Sequence, residues 1–462
     1  MTIQTTISPI DGSVSVEREL ADPATIQATL ERARSAQRSW QRVPLAERVA
    51  LIGRFVAAME ADRERIAEEI TRQMGRPISQ SPFELRGFAE RARYMAQIAE
   101  DALADLRFTD QPGFTRFIRR EPLGIVFTIA PWNYPVLTAV NSVVPAILAG
   151  NAVILKHSAQ TPLVAERFAD AFREAGLPEG VFQFLHLAHA DTLAIIRKGA
   201  VNHVVFTGSV AGGHEIARAA GETFITTTLE LGGKDPAYVR ADADLQFAIE
   251  NVGDGAFFNS GQCCCGIERV YVAAPVYDRF VEGLKAFAEG YRLGDPTDSE
   301  TTLGPMARLK TAEAVRDQID EALAKGAKAL VDTRRFNRDA RGSHYLAPQV
   351  LVDVDHTMSV MMEESFGPVV GVMKVENDDE AVRLMNDSPY GLTASVWTRD
   401  EAAALAIAER IETGTCYMNR CDYLDPALVW TGVKDSGRGV SLSRLAFEHL
   451  TRPKSFHFRK PS

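Results

Sequence analysis

The sequence predicts an α/β protein built from two doubly wound α/β domains and a small β arm. Three observations carry this. From residue 124 onward, short apolar runs alternate with helical stretches, and near-continuous apolar strands of that kind belong in parallel sheets covered on both faces. The alternation pauses at Gly232-Gly233 and resumes after residue 234, which suggests a second unit of the same kind. Two segments far apart, 114–120 and 455–459, are strand-like, and the first is rich in arginine, as suits an edge or protruding strand. The chain has 462 residues, too many for one core and enough for two large domains with an appendage.

Taken in order, the N-terminal third reads as helical. Ile26, Leu30, Ala33 and Trp40 recur on one face, followed by Leu45, Ile52, Phe55 and Met59, with charged residues opposite. Pro44 is expected just inside the second helix, where its missing N–H costs little. Four strands follow at 124–130, 151–156, 203–207 and 226–229, with helices between them. Beyond residue 234, strands are expected at 236–239, 269–272, 368–373, 392–397 and 415–419. Helices are expected at 243–258, 276–291 and 401–411. Pairing of 114–120 with 455–459 would form the third element.

Composition narrows the function. Net charge is −10, so a uniform basic face for nucleic acid is not expected. The first twenty residues carry Asp11, Glu17, Arg18 and Glu19 and no apolar core of a signal peptide. The most apolar stretch, 136–155, is interrupted by Asn141, Pro145, Gly150 and Asn151 and reads as a buried helix and strand, not a membrane span. Of five cysteines, three are consecutive, which argues against a disulfide scaffold and for a reducing cytoplasm.

Those three cysteines, Cys263, Cys264 and Cys265, lie in Phe257-Phe-Asn-Ser-Gly-Gln-Cys-Cys-Cys-Gly266. A free cysteine is most often a small buried hydrophobe. Zinc sites draw on spaced cysteine pairs and histidines, and none is nearby, so no metal is expected. A turn carrying Asn259, Ser260 and Gly261 between an apolar helix and a strand can instead present a thiol to a cleft among free backbone N–H groups, which favour thiolate and bind an oxyanion. Glu230, in Leu229-Glu-Leu-Gly-Gly-Lys234, ends an apolar strand; a carboxylate there is costly unless used, and burial raises its pKa toward that of a general base. It falls just before the domain boundary and the cysteines just after, so the two are expected to meet in an interdomain cleft. Thiol and carboxylate together suit covalent acyl chemistry.

No Gly-x-Gly-x-x-Gly follows a strand; Gly437-Arg-Gly439 lacks the third glycine and the strand. What remains for a nucleotide is Phe206-Thr-Gly-Ser-Val-Ala-Gly-Gly213, a strand opening into a helix whose N-terminus can receive a pyrophosphate.

With Ala130-Pro-Trp-Asn-Tyr-Pro135 and Glu363-Glu-Ser-Phe-Gly-Pro368, these strings stand in the order found in the aldehyde dehydrogenase superfamily, and the chain resembles its NAD(P)-dependent, non-acylating members from about residue 7 to about residue 460. The resemblance implies a Rossmann-like dinucleotide-binding domain (1–110 and 123–232), a catalytic domain (233–440) and an oligomerisation arm (111–122 and 441–462). It implies a homodimer or homotetramer. It assigns Cys264 as nucleophile, Glu230 as base, and the Asn133 amide, with the Cys264 N–H, as oxyanion donors. For the cofactor it points to Ile129, Trp132 and Lys156, to Gly208, Ser209 and Gly213, and to Leu231, Glu364 and Phe366. Asn419 matches a further family asparagine near the cleft.

The implied reaction is oxidation of an aldehyde to its carboxylic acid with NAD or NADP through a Cys264 thiohemiacetal and thioester. A cysteine hydrolase or acyltransferase without redox function is the alternative, as is a non-catalytic protein that keeps the fold. Many NAD-preferring members have glutamate where this chain has Ala159 and proline where it has His157. Loss of that carboxylate removes its repulsion of a 2′-phosphate, so strict NAD use is not expected. Thr138 and Asn141 stand where large apolar residues are common, Leu424 lies near another pocket position, and Val429-Trp-Thr-Gly-Val-Lys434 departs from the usual string. These differences predict a polar pocket mouth and a small or polar aliphatic aldehyde, a semialdehyde among them.

Overall fold

The computed structural model describes residues 2–461. The first sheet has six strands in the order Gly437–Arg438, Thr226–Glu230, His203–Thr207, Ile125–Ile129, Ala152–Lys156 and Phe182–Phe184. All neighbours are parallel except the first pair, which is antiparallel. Ile125–Ile129 and Ala152–Lys156 are buried at every position, the reason they read as continuous apolar runs. Trp40, Phe55, Phe88 and Phe168 belong to the core on one side of this sheet, and Leu30, Ile196, Ile216 and Leu229 to the core on the other. Chain order reverses between Ile125–Ile129 and His203–Thr207, so a crevice opens at their C-terminal ends.

The second sheet has seven strands: Lys328–Ala329, Gln349–Val352, Val369–Val375, Ile267–Ala273, Asp235–Val239, Thr393–Trp397 and Thr415–Met418. Only the first is antiparallel to its neighbour. Separate apolar clusters line it too, one around Phe257, Phe280 and Trp397, others around Met361 and Val396. The chain leaves the first sheet at Glu230 and enters the second at Asp235, so the C-terminal edge of one sheet is tied by four residues to the N-terminal edge of the other. That join holds the candidate site.

Thr451–Arg459 pairs antiparallel with Phe114–Pro122 along nine residues, extended by Leu106–Arg107. The expected arm is therefore a three-stranded sheet, but residues 441–450 do not belong to it. Ala446, Phe447 and Leu450 are buried in the first core, and Gly437–Arg438 pairs with Leu229 and Glu230.

Three further differences have local causes. The N-terminal third opens with a hairpin, Ile3–Ile7 with Val14–Glu19, whose Ile3, Ile7 and Val14 are exposed, so no clean alternation marks it. Phe182–Phe184 and Gln349–Val352 are too short to register as periods. Pro44 precedes the helix Leu45–Ala61 with ψ of 142°, outside the helix rather than within it.

Candidate active site

The turn that carries the cysteines is forced by its neighbours. Asn259 and Ser260 adopt left-handed conformations, with φ of 54° and 56°. Gly261 follows at φ of 68°, where an added Cβ would lie 2.2 Å from the Gly367 carbonyl oxygen, so backbone approach demands glycine. Gln262 secures the turn: its Oε1 accepts from the Ala307 N–H at 2.8 Å and its Nε2 donates to the Asn259 carbonyl at 3.1 Å.

This turn sets Cys264 half-buried in the wall of a cavity of about 380 Å³, with Glu230 and Thr207 in the same wall. Cys263 and Cys265 turn into the protein, and each thiol donates to Asp422 Oδ1 at 3.0 Å. The Cys263 and Cys265 thiols, in that order, favour the Cys264 thiolate and lower its pKa to about 6, while Cys263 is pushed up to about 12. Burial pushes the Asp422 carboxyl well above its usual range. The three ligand atoms of Cys263, Cys265 and Asp422 lie within 4.8 Å of one another, already closed by their own hydrogen bonds.

Glu230 ends its strand and is 6% exposed. Thr207 donates to Oε2 at 2.8 Å and Ser441 donates to Oε1. Burial raises its pKa against these two bonds. Neither hydroxyl was singled out from the sequence. Ser441 lies more than two hundred residues away, and only the return strand Gly437–Arg438 brings it close.

Asn133 lies on the loop after Ile125–Ile129. Its side-chain Nδ2 donates to the Gln262 carbonyl at 3.3 Å, so the amide meets the cysteine turn directly. Arg76, also missed, joins the two loops: its guanidinium donates to Asn259 Oδ1 at 3.0 Å and to the Asn133 carbonyl, and pairs with Glu84. Glu84 in turn accepts from the Val136 and Leu137 N–H groups at 2.6 and 3.0 Å, at the start of the helix Pro135–Leu148. Thr138, Asn141 and Leu424, expected at the pocket mouth, all line the cavity.

The crevice residues gather at the C-terminal edge of the first sheet. Ile129 and Lys156 end adjacent strands and face each other in register. Trp132 stands edge-to-face with Phe366, ring centroids 5.6 Å apart. Ser209 caps the helix Val210–Ala220, its Oγ accepting from the Gly212 N–H at 3.2 Å, which leaves the hydroxyl proton free to donate. Gly213 is packed against Leu231, 2.6 Å from where a Cβ would reach, which draws helix and Glu230 loop together. Glu364 accepts from the Gly233 N–H at 3.1 Å, and burial, with Glu268 second, raises its carboxyl to about 8. Behind it, Lys234 pairs with Glu268 at 2.5 Å, and Glu268 accepts from the Ser365 and Phe366 N–H groups at 2.8 and 2.9 Å. Phe366 is thereby held at φ of 54°.

Lys156 is 7% exposed and makes no side-chain hydrogen bond to any described residue. Burial, with Arg308 second, lowers its pKa to about 8. Arg308 stands over Trp132, 5.5 Å from the ring centroid, and pairs with no carboxylate among the described residues. Two neighbouring cations without carboxylate partners at the edge of the crevice fit an anionic dinucleotide. Ala159 is exposed, leaving open space where a carboxylate would have stood. His157 is buried and neutral, lowered to about 4 by burial, and its ring bridges the Pro135 carbonyl and the Ser158 N–H at 3.0 Å each. Asn419 does not reach the cavity: its amide braces Thr398, accepting from the N–H at 3.0 Å and donating to the carbonyl at 2.8 Å.

Comparison with known proteins agrees with this geometry. Residues 2–456 match the Aldehyde dehydrogenase family. The succinate semialdehyde dehydrogenase [NAD(P)+] Sad of Escherichia coli is 33% identical over 444 residues, 96% of this chain and 95% of its own length. The succinate-semialdehyde dehydrogenase [NADP(+)] of Deinococcus radiodurans is 33% identical over 449 residues, 97% of this chain and 93% of its own. The crystal structure of succinic semialdehyde dehydrogenase from Streptococcus pyogenes, in complex with NADP+, superposes with a TM-score of 0.94 at 29% identity, covering 99% of this chain and 100% of that one.

Proposed function

The chain belongs to the aldehyde dehydrogenase family, and from that premise we propose that it oxidises a small or polar aliphatic aldehyde to the carboxylic acid with NAD or NADP, through a thioester on Cys264. The observation that carries the proposal is the shared cavity: a thiol with a depressed pKa and a buried carboxylate line one space at the junction of two sheets.

In this reading the Cys264 thiolate adds to the aldehyde carbon, forming the C–S bond while the carbonyl π pair moves to oxygen. The Asn133 amide and the Cys264 N–H stabilise that oxyanion. A bound nicotinamide would supply the hydride acceptor as the oxyanion pair re-forms the C=O bond, which leaves a thioester on Cys264. Glu230 then takes a proton from water, the hydroxide adds to the thioester carbon, and the C–S bond breaks to release the acid and the thiolate. Ile129, Trp132, Phe366 and Leu231 would pack on the cofactor. Lys156 and Glu364 would hold its riboses, the Ser209 hydroxyl and Arg308 would bond its phosphates, and Gly208 and Gly213, whose N–H groups are bonded within the fold, would leave room for them. The open space at Ala159 leaves both NAD and NADP acceptable.

The polar lining from Thr138 and Asn141 supports a short or polar substrate, and the curated relatives are named for succinate semialdehyde. The exposed Phe458, 56% accessible on the edge strand Thr451–Arg459, supports a homodimer or homotetramer joined through the arms. All five cysteines are free, as suits a cytoplasmic setting, and no helix among the described residues is long and apolar enough to cross a membrane.

The test is a panel of straight-chain and carboxylated aldehydes with each cofactor, read as growth of reduced nicotinamide absorbance, with Cys264→Ala as the blank. Cofactor reduction that disappears in Cys264→Ala supports the proposal. An optimum at long alkyl or aromatic aldehydes refutes the substrate class. Acid or acyl release without cofactor reduction favours a cysteine hydrolase instead.

A further inference from the structure

Arg91 has no part in the chemistry above, yet it lines the same cavity as Cys264 and Glu230. It lies on the helix Pro82–Leu103 and is 8% exposed. Its Nη1 donates to the Leu137 carbonyl at 2.9 Å and to Asn141 Oδ1 at 3.1 Å. No carboxylate among the described residues pairs with it, and its Nε and Nη2 have no hydrogen-bond partner there.

Other deeply buried guanidinium groups of this protein are compensated, except that of Arg48, whose Nε and Nη1 lack a partner at a place outside the cavity. Arg76 pairs with Glu84, Arg167 with Glu69, and Arg316 with Asp339. Arg269 is surrounded by backbone carbonyls and the Tyr271 hydroxyl. A buried cation lacking such partners is costly and stays charged at any physiological pH. The acids that share the cavity, Glu230, Glu84 and Glu90, favour the charged guanidinium only from a distance, and none of them bonds it. Glu84 is taken by Arg76, Glu230 by Thr207 and Ser441, and Glu90 by the Tyr423 hydroxyl. Asp254 and Asp422 are both pushed up by burial, toward the neutral form that neither cancels a cation nor repels an anion with full charge.

The groups left over have a definite shape. Nε and Nη2 form the side of a guanidinium that matches the two oxygens of a carboxylate. Because Asn141 turns its oxygen to Arg91, its Nδ2 donors are also without a partner among the described residues. We propose that Arg91, assisted by Asn141, binds a carboxylate at the far end of the substrate, so that the preferred substrates are aldehydes carrying a terminal carboxylate. This rests on the reading of Cys264 as the group that meets the aldehyde end. The helix Pro82–Leu103 would thus set specificity, while the two sheets supply the chemistry.

The experiment compares succinate semialdehyde with butanal, an uncharged aldehyde of the same chain length, in the wild type, Arg91→Met and Arg91→Lys. The expected result is a fall of roughly 10- to 100-fold in kcat/KM for succinate semialdehyde in Arg91→Met, the range for losing a charged hydrogen bond. The change should lie mostly in KM, butanal should change by less than about threefold, and Arg91→Lys should recover part of the loss. Equal losses for both aldehydes, or none for the semialdehyde, would overturn the proposal. A wild-type measurement guards against a variant that does not fold: succinate should slow alkylation of Cys264 by iodoacetamide, and butan-1-ol at the same concentration should not. No protection by succinate would also overturn it. If the wild type reduces neither cofactor with any aldehyde, the dehydrogenase reading fails first; if it oxidises butanal as well as succinate semialdehyde and Arg91→Met changes neither, only this inference fails.

Discussion

Replacing Lys234 by methionine should damage cofactor binding from a position that would not touch the cofactor. The Lys234 side chain is 0% exposed, and its ammonium bonds Glu268 at 2.5 Å and Ser365 Oγ at 2.9 Å. Glu268 is 5% exposed at the side chain and also holds the Ser365 and Phe366 N–H groups. Methionine fills the space but strands the carboxylate. Removing one partner of a buried pair costs about 3–5 kcal/mol. Two backbone donors remain on Glu268, so the lower end applies, about 3 kcal/mol. For a domain of this size that corresponds to a fall of roughly 6–12 °C in melting temperature. The same pair fixes the loop of Glu364 and Phe366, so KM for NAD and NADP should rise several-fold more than KM for the aldehyde. Thermal unfolding and steady-state kinetics with either substrate varied would read both effects. A melting point within about 2 °C of wild type, with unchanged cofactor KM, would refute the assignment of this pair as the brace of the loop.

Glu230→Gln should keep the first-turnover burst of reduced cofactor and lower steady-state turnover by about 100-fold or more, since only release of the acyl group needs the base; rapid-mixing kinetics separate the two phases, and unchanged steady-state turnover would count against the role. Alkylation of Cys264 by iodoacetamide should rise with pH through an inflection near 6 and fall away below it, because the thiolate is the reactive form and its pKa is lowered to about 6. Cys263→Ala, which removes the donor, should move that inflection upward, since Cys263 is the largest cause of the lowering. Ala159→Glu should raise KM for NADP at least about tenfold relative to NAD, because a carboxylate at that open position would face the 2′-phosphate. Gly261→Ala should abolish activity and lower the melting temperature, as its Cβ would meet the Gly367 carbonyl at 2.2 Å and its φ is 68°; near-normal turnover would show that the turn tolerates a shift.

The cysteine turn, the buried Glu230 and the strand alternation were legible in the sequence because each is a local demand. Asn259, Ser260 and Gly261 specify a left-handed turn within three residues, and all-apolar runs such as 125–129 specify strands buried on both faces. Glu230 stood out because an acid at the end of an apolar strand needs a reason. The N-terminal hairpin was not legible, since its exposed Ile3, Ile7 and Val14 break the alternation that would have marked it. Nor was the return of residues 441–450 to the first core, where Ala446 and Phe447 find burial through contacts with a distant helix.

The chain order of its residues by itself determined which side chains are candidates for the proposed chemistry and which backbone turns present them. Side chains that tune and aim those atoms came from elsewhere in the chain. Ser441 reaches Glu230 only because Gly437–Arg438 closes the edge of the first sheet. Arg76 spans two loops, Glu268 holds a third, and Arg91 enters the cavity from a helix outside both sheets. Local sequence restricts dihedrals over a few residues, whereas a hydrogen bond between residues hundreds of positions apart depends on strand order and layer packing, which exist only once the chain has folded.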